Sequence, residues 1–247
     1  MPVAVVTGGA SGMGRSICHH LARRENAVAI VDLNGEAAEQ VAEELRGDGA
    51  RAVACPADVS DRAQVDHAMQ VARSQLGPLG ILVTSAGVAK FEPFAEITLE
   101  SWNRVLAINL TGTFNCVQAA LPDMLDARWG RVVLISSSSA QRGAPRMAHY
   151  ASSKGGVIAL AKTLALEYAA SGITVNNIAP SSIDTPMVHE WQASGAVGPI
   201  ESMARHIPVG RVGTGDDIAA ACTFLCSEEA GYITGQTVSV NGGSYVT

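Results

Sequence analysis

"TGGASGMG", residues 7–14, follows the apolar run "VAVV" (3–6) and opens an amphipathic stretch from about Gly12 to Arg24. The pattern describes a strand that turns sharply into a helix. Gly8, Gly12 and Gly14 permit a tight turn and a close approach of backbone to ligand. N–H groups left free at the start of a helix suit an anion such as a pyrophosphate. A glycine-rich turn alone is a weak signal; the strand before it and the helix after it give it meaning.

The rest of the chain repeats that unit. "AVAIV" (27–31) precedes "NGEAAEQVAEELRG", "RAVAC" (51–55) precedes "DRAQVDHAMQVARSQLG", and "GILV" (80–83) precedes a helical region spanning roughly 99–126. "RVVLI" (131–135) precedes a helix holding Tyr150, "ITVNNI" (173–178) follows that helix, and "TVSV" (237–240) follows a helix near 215–226. Short apolar runs without polar alternation are strands buried on both faces. Seven such runs alternating with helices predict an α/β fold: one Rossmann-type, doubly wound parallel sheet of about seven strands with helices on both faces. No repeat, low-complexity tract or linker divides the 247 residues, so the chain reads as a single domain, 1–247. One segment breaks the rhythm. "MVHEWQASGAVGPIESMARHI" (187–207) follows the carboxyl end of a strand, the edge at which ligands bind in open α/β sheets. It is read as a substrate lid at about 187–208, against the plainer alternative of a surface insertion.

Composition narrows the class. Hydrophobic residues make up 47% of the chain, which fits a globular fold, and the formal net charge of −6 argues against a partner that is nucleic acid or an anionic membrane. The N-terminus shows no charged leader, and no apolar stretch reaches bilayer length. Five cysteines, odd in number and scattered, suit reduced thiols and a cytoplasmic location. Cys222 and Cys226 read as packing neighbours rather than metal ligands. The six histidines show no ligand spacing, so no catalytic metal is expected.

The second strand ends in Asp32, eighteen residues after Gly14. A carboxylate there accepts hydrogen bonds from the adenosine ribose hydroxyls and repels a 2′-phosphate. Neither Ser11 nor Leu33 supplies a compensating cation. NAD(H) is therefore expected rather than NADP(H), although "DLNGE" is also good turn chemistry. Farther along, "HYASSKGG" (149–156) sets Tyr150 and Lys154 four positions apart, on one face of a helix. On an ordinary helix such a pair only covers surface.

Taken together, the chain resembles the short-chain dehydrogenase/reductase family over essentially its full length. The resemblance rests on "TGGASGMG", Asp32, "ADV" (57–59), Asn109 in "AINLTGTF", Ser137 in "LISSSSA" thirteen residues before Tyr150, "YASSK" and "IDTPM". It implies a hydride transfer between a nicotinamide cofactor and a secondary alcohol or ketone. Tyr150 would be the acid/base, and Lys154 its partner, which also holds the nicotinamide ribose. Ser137 would steady the substrate oxygen; Ser136, Ser138 and Ser139 are its rivals, and spacing selects Ser137. Asn109 would hold a water linking Lys154 to solvent. Asp58 and Val59 would meet the adenine, and Ile183 and Thr185 the carboxamide. Ser11, Met13, Leu33, Ala86, Gly87 and Pro180 complete the implied cofactor contacts. A free phenol titrates near pH 10, so a base working near pH 7 needs roughly 4 kcal/mol of help. One cation about 4 Å away gives about 1 kcal/mol in water and about 4 at an effective dielectric of 20. Lys154 is thus expected to lower the phenol in a partly dehydrated cleft, helped by the positive nicotinamide.

Two positions depart from the family pattern. "TSAG" (84–87) replaces a motif that begins with asparagine, and Pro180-Ser181 replaces Pro-Gly. The resemblance also implies a homotetramer, assembled through helices near 99–126 and 150–170 and the final strand. Among family members the chain is most similar to 3-oxoacyl reductases and to dehydrogenases of hydroxyacyl-coenzyme A esters and cyclic alcohols. The expected substrate is a small molecule, a hydroxyacyl-coenzyme A ester or a small or cyclic alcohol. An NADPH-dependent 3-oxoacyl-[acyl-carrier-protein] reductase is the alternative, which Asp32 opposes. Carrier-dependent members tend to have a basic residue where this chain has Ser171. A non-catalytic nucleotide sensor on the same fold would typically lack the tyrosine or the lysine.

Overall fold

The computed structural model describes residues 2–246. Seven parallel strands form one sheet: β1 (Val3–Thr7), β2 (Ala27–Asp32), β3 (Ala52–Pro56), β4 (Leu79–Thr84), β5 (Gly130–Ile135), β6 (Ile173–Pro180) and β7 (Thr237–Val240). Their order is β3-β2-β1-β4-β5-β6-β7, so the doubly wound sheet expected from the sequence is present. Ten helices connect them: α1 (Gly12–Arg23), α2 (Gly35–Gly47), α3 (Arg62–Leu76), α4 (Leu99–Leu106), α5 (Gly112–Ala127), α6 (Ser139–Arg142), α7 (Ala148–Tyr168), α8 (Pro186–Ala193), α9 (Ile200–Ala204) and α10 (Gly215–Leu225).

Alternation along each strand divides the core in two. In β1, Val3 and Val5 enter one apolar cluster and Ala4 and Val6 the other. The first cluster is covered by α3, α5 and α7 through Met69, Ala120 and Val157. The second is covered by α1, α2 and α10 through Ile17, Leu45 and Ile218. Cys222 and Cys226 pack in that second cluster. Local chemistry sets where helices begin. Asn34 caps α2, Asp61 caps α3, and Thr214 with Asp217 forms a capping box on α10.

One expectation changes. The helical region near 99–126 is not continuous: a π-helical turn, Ala107–Thr111, separates α4 from α5 and contains Asn109. Such turns add one residue to the helical repeat and often mark functional sites. The segment read as a lid, 187–208, contains most of α8 and all of α9, and the ring of Trp191 on α8 meets Phe91 edge-on at 5.1 Å. No described helix is long and apolar enough to cross a membrane.

Candidate active site

The strand order reverses at β1, which pairs with β2 on one side and β4 on the other. A crevice opens at the carboxyl end of such a switch point. Here it is a cleft of about 310 Å³, lined by twelve of the residues singled out in the sequence: Gly8, Ser11, Gly12, Met13, Gly14, Asp32, Leu33, Asp58, Val59, Ala86, Gly87 and Thr185. The loops after β1 and β4 are tied together, since Ala86 N donates to Thr7 Oγ1 at 3.2 Å and Ser85 N to the Thr7 carbonyl at 3.2 Å. Gly8 has φ of +65°, and a Cβ there would lie 2.8 Å from Ala86 Cα; a Cβ on Gly14 would lie 2.1 Å from the Gly8 carbonyl oxygen. Ser11 sits at the N-cap of α1 without a capping side-chain bond. The first-turn N–H groups of α1 therefore have no side-chain acceptor from Ser11, and their residues line the cleft. A dinucleotide pyrophosphate fits this cradle.

At the β2 side, both oxygens of Asp32 are oriented by backbone: Ala10 N donates to Oδ2 and Asn34 N to Oδ1, each at 3.0 Å. Each oxygen retains a lone pair for a ligand hydroxyl. Arg15 is turned onto Glu44 of α2 at 2.8 Å and is not part of the cleft wall. Arg104 on α4 is the one cation among the described lining residues. It borders Val88 and also lines an outer cleft with Lys90 and Glu92. On the remaining wall, Asp58 Oδ1 accepts from Ser60 N and Oγ, and the Val59 carbonyl accepts from Asn115 Nδ2 at 3.0 Å.

Pro180 and Ile183 stand off this cleft. The Pro180 carbonyl accepts from Ser138 N at 2.8 Å, which joins the end of β6 to the serine run. The Ile183 side chain is buried in the second core and its backbone bridges Gly213. Ser182 O and Asp184 N make that bridge, so strand alternation directs the N–H and carbonyl of Ile183 the other way.

Ser137, Tyr150 and Lys154 converge at the carboxyl end of β5. The Ser137 hydroxyl accepts from Ser139 N at 3.1 Å and is close enough to the Tyr150 phenol to favour its ionisation, whereas Ser136 Oγ is committed to Asn177 and Ile178 on β6. Lys154 Nζ is buried, donates to the Ile135 carbonyl at 2.8 Å, and stands 6.0 Å from the centre of the Tyr150 ring. A Cβ on Gly87 would come within 3.3 Å of Nζ, so glycine keeps the cleft open up to the ammonium. Both Nδ2 hydrogens of Asn109 are committed, to the Val88 carbonyl and Ser153 Oγ, and Oδ1 accepts from Val88 N.

The expected lowering of the phenol by Lys154 is not a property of these side chains. Burial pushes the Tyr150 phenol up and outweighs the opposing influence of the Ser137 hydroxyl. The same burial brings Lys154 down to about 8 from its ordinary 10.5. Desolvation opposes both charged forms. The two departures are locally benign. Thr84 keeps β4 in register with Thr7 and Leu134, although its buried hydroxyl has no partner. Ser181 is absent from the positive-φ residues, so its backbone does not need glycine. Sequence reading passed over Thr7, Asn115 and Arg104, whose side chains act on the cleft through contacts that carry no sequence spacing.

A glycine cradle at the switch point, with a hydroxyl, a phenol and an ammonium at the next strand end, defines a nucleotide-dependent oxidoreductase. The chain belongs to the short-chain dehydrogenase/reductase family, whose members use nicotinamide dinucleotides. The family profile described as enoyl-(acyl carrier protein) reductase matches residues 8–245. D-Threitol dehydrogenase of Mycolicibacterium smegmatis is 41% identical over 98% of this chain and 92% of its own. The 3-oxoacyl-[acyl-carrier-protein] reductase FabG of Staphylococcus aureus is 39% identical over 98% of each chain. Cis-4-hydroxycyclohexanecarboxylate dehydrogenase of Sinomonas cyclohexanicum is 39% identical over 98% of this chain and 95% of its own.

Proposed function

We propose that the protein is an NAD(H)-dependent oxidoreductase that interconverts a secondary alcohol and a ketone, acting on a small or cyclic alcohol or a hydroxyacyl-coenzyme A ester. The convergence of Ser137, Tyr150 and Lys154 beside the glycine cradle carries this reading. Asp32, held by two backbone N–H groups with Arg15 turned away, supports NAD(H) over NADP(H). The names of the threitol and cyclohexanecarboxylate relatives support an alcohol substrate. The family reading supports a single domain, 1–247. It also supports a homotetramer, and the exposed Phe94, Leu99, Phe114 and Leu166 and the edge strand β7 are consistent with subunit contacts.

A bound nicotinamide would supply the hydride acceptor or donor, its nucleotide held by Gly8, Gly12, Gly14, Asp32 and Lys154. The protein's part is proton transfer and orientation. Ser137 Oγ aligns the substrate oxygen, and Tyr150 Oη takes the alcohol proton in oxidation and returns it in reduction. The buried ammonium of Lys154 stabilises the phenolate as it forms, in a low dielectric where one charge counts for several kcal/mol. The segment 187–208 acts as a lid, which the Trp191–Phe91 contact joins to the loop after β4.

Coenzyme use tests the reading. The wild type should turn over D-threitol, cis-4-hydroxycyclohexanecarboxylate or 3-hydroxybutyryl-coenzyme A with NAD+ far faster than with NADP+. Asp32→Ser with Leu33→Arg should move that preference toward NADP+ by removing repulsion and adding a phosphate partner. Equal use of both coenzymes by the wild type would refute the assignment. The identity with FabG keeps the carrier-bound substrate as a second reading. A 3-oxoacyl group should react better on coenzyme A than on acyl carrier protein, since both the carrier and this chain are acidic. Arg128, at the turn from α5 into β5, is a basic residue a carrier could meet; a salt-sensitive preference for the carrier, lost in Arg128→Ala, would favour the second reading.

A further inference from the structure

The inference rests on Tyr150 as the acid/base and concerns what holds it in place. Helix α7 begins at Ala148, and Met147 at its N-cap gives no side-chain bond. First-turn N–H groups have no acceptor within a helix. Tyr150 is the third residue of α7, and its N–H is taken by the ring just before it: Tyr150 N donates to His149 Nδ1 at 3.0 Å. His149 is completely buried. With Nδ1 accepting, the hydrogen of the neutral ring sits on Nε2, which lies 3.2 Å from Glu92 Oε2.

Glu92 belongs to the loop after β4 and is itself fixed from several sides. Its carboxylate accepts from Ser101 Oγ and pairs with Lys90 Nζ at 2.8 Å. Its N–H donates to the Arg146 carbonyl at 2.7 Å. Arg146 has φ of +64°, a left-handed conformation that a non-glycine residue keeps only with support from its surroundings. The other end of the tyrosine residue is held as well, since Ser153 Oγ donates to the Tyr150 carbonyl at 2.8 Å. Thus the loop after β4, α4 and the start of α7 meet around one imidazole adjoining the phenol-bearing residue.

We propose that His149 and Glu92 are positioning residues: Glu92 orients the His149 ring, whose Nδ1 fixes the backbone N–H of Tyr150 and so sets the phenol between Ser137 and Lys154. A histidine before the tyrosine could be mere core filling. In that case an apolar side chain of similar volume would serve, and neither ring nitrogen would need its partner.

The test uses the full chain with NAD+ bound, and reads the Tyr150 phenolate by ultraviolet difference titration against Tyr150→Phe, alongside steady-state rates on the three substrates above. His149→Ala and Glu92→Ala should move the phenolate titration to higher pH. They should lower kcat by about 10–100-fold, the loss expected when a reacting group is misplaced by about an ångström, with KM little changed. Glu92→Gln keeps an acceptor for Nε2–H and should stay within a few-fold of wild type. His149→Asn can still accept from Tyr150 N but not reach Glu92, and should fall between. If His149→Ala does not fold, the contrast between Glu92→Gln and Glu92→Ala carries the same test. A folded His149→Ala or His149→Leu with wild-type titration and kcat would overturn the proposal. Full turnover by Tyr150→Phe, with no phenolate signal to subtract, would instead remove the acid/base reading beneath it.

Discussion

Lys154 is buried and Tyr150 half-buried, and loss of hydration opposes the charge on each. Tyr150→Phe deletes the proton-carrying oxygen without touching the nucleotide cradle. Its turnover should fall by the 10²–10⁴-fold typical of a lost acid/base, with NADH affinity nearly unchanged by fluorescence titration. Lys154 makes a separate prediction about stability. Its pKa of about 8 lies below its ordinary 10.5, so between those values the unfolded chain binds more protons than the folded one. Stability therefore rises with pH through that window, and at pH 7 the full cost of the buried ammonium is present. Lys154→Met should raise the Tm at pH 7 while abolishing turnover and weakening NADH binding. An unchanged or lower Tm would mean that its bond to the Ile135 carbonyl outweighs the desolvation.

At the scale of elements, the turn from β1 into α1 depends on backbone approach. Replacing a helical glycine by alanine ordinarily stabilises by about 0.5–1 kcal/mol. Gly47, at the exposed end of α2 with open space around it, should follow that rule, gaining roughly 0.5 kcal/mol in urea unfolding. Gly14→Ala should reverse the sign, because its Cβ would lie 2.1 Å from a backbone oxygen that cannot yield cheaply. We expect a loss of about 1–3 kcal/mol and a large rise in the Kd for NADH. Gly14→Ala with normal NADH binding would show that the loop geometry is wrong. The π-helical turn works on the same scale. By adding a residue to the helix it lets the Asn109 side chain brace Val88 while α5 continues to Ala127.

Across the whole molecule, two carboxylates set an acid limit, and Glu92 joins distant segments as well. Lys90, Ser101 and His149 hold Glu92 down at about 2, and Arg211 with Thr214 holds Asp217 well below the usual range. Both are depressed carboxylates, so their stabilisation is complete above their ordinary values near 4 and is lost as pH falls through the folded ones. The Tm should be nearly flat from about pH 5 up to the Lys154 value of about 8 and decline steadily below about pH 4.5. Glu92→Gln should lower the Tm at pH 7 and flatten part of that decline; an unaltered acid slope would show that Glu92 is not a linked group. For assembly, native mass spectrometry should return a tetramer. A monomer at micromolar concentration would contradict the roles given to the exposed α4 and α5 side chains and β7.

The sequence by itself determined the alternating strands and helices, the glycine turn, Asp32 and the Tyr150–Lys154 spacing. Each is written in local periodicity or in a short motif whose residues lie a few positions apart. Tertiary structure decided what depends on distant segments. Spacing pointed to Ser137, but that Ser136 is drawn away from the phenol onto β6 was decided by tertiary contacts. The direction of Arg15 followed from Glu44 on α2, and the break in the helix at Asn109 from its bonds to Val88 and Ser153. The partnership of Glu92 with His149, fifty-seven residues apart, had no sequence signal at all. Hydrogen bonds across such separations form only after the sheet has brought the ends of β4 and β5 side by side.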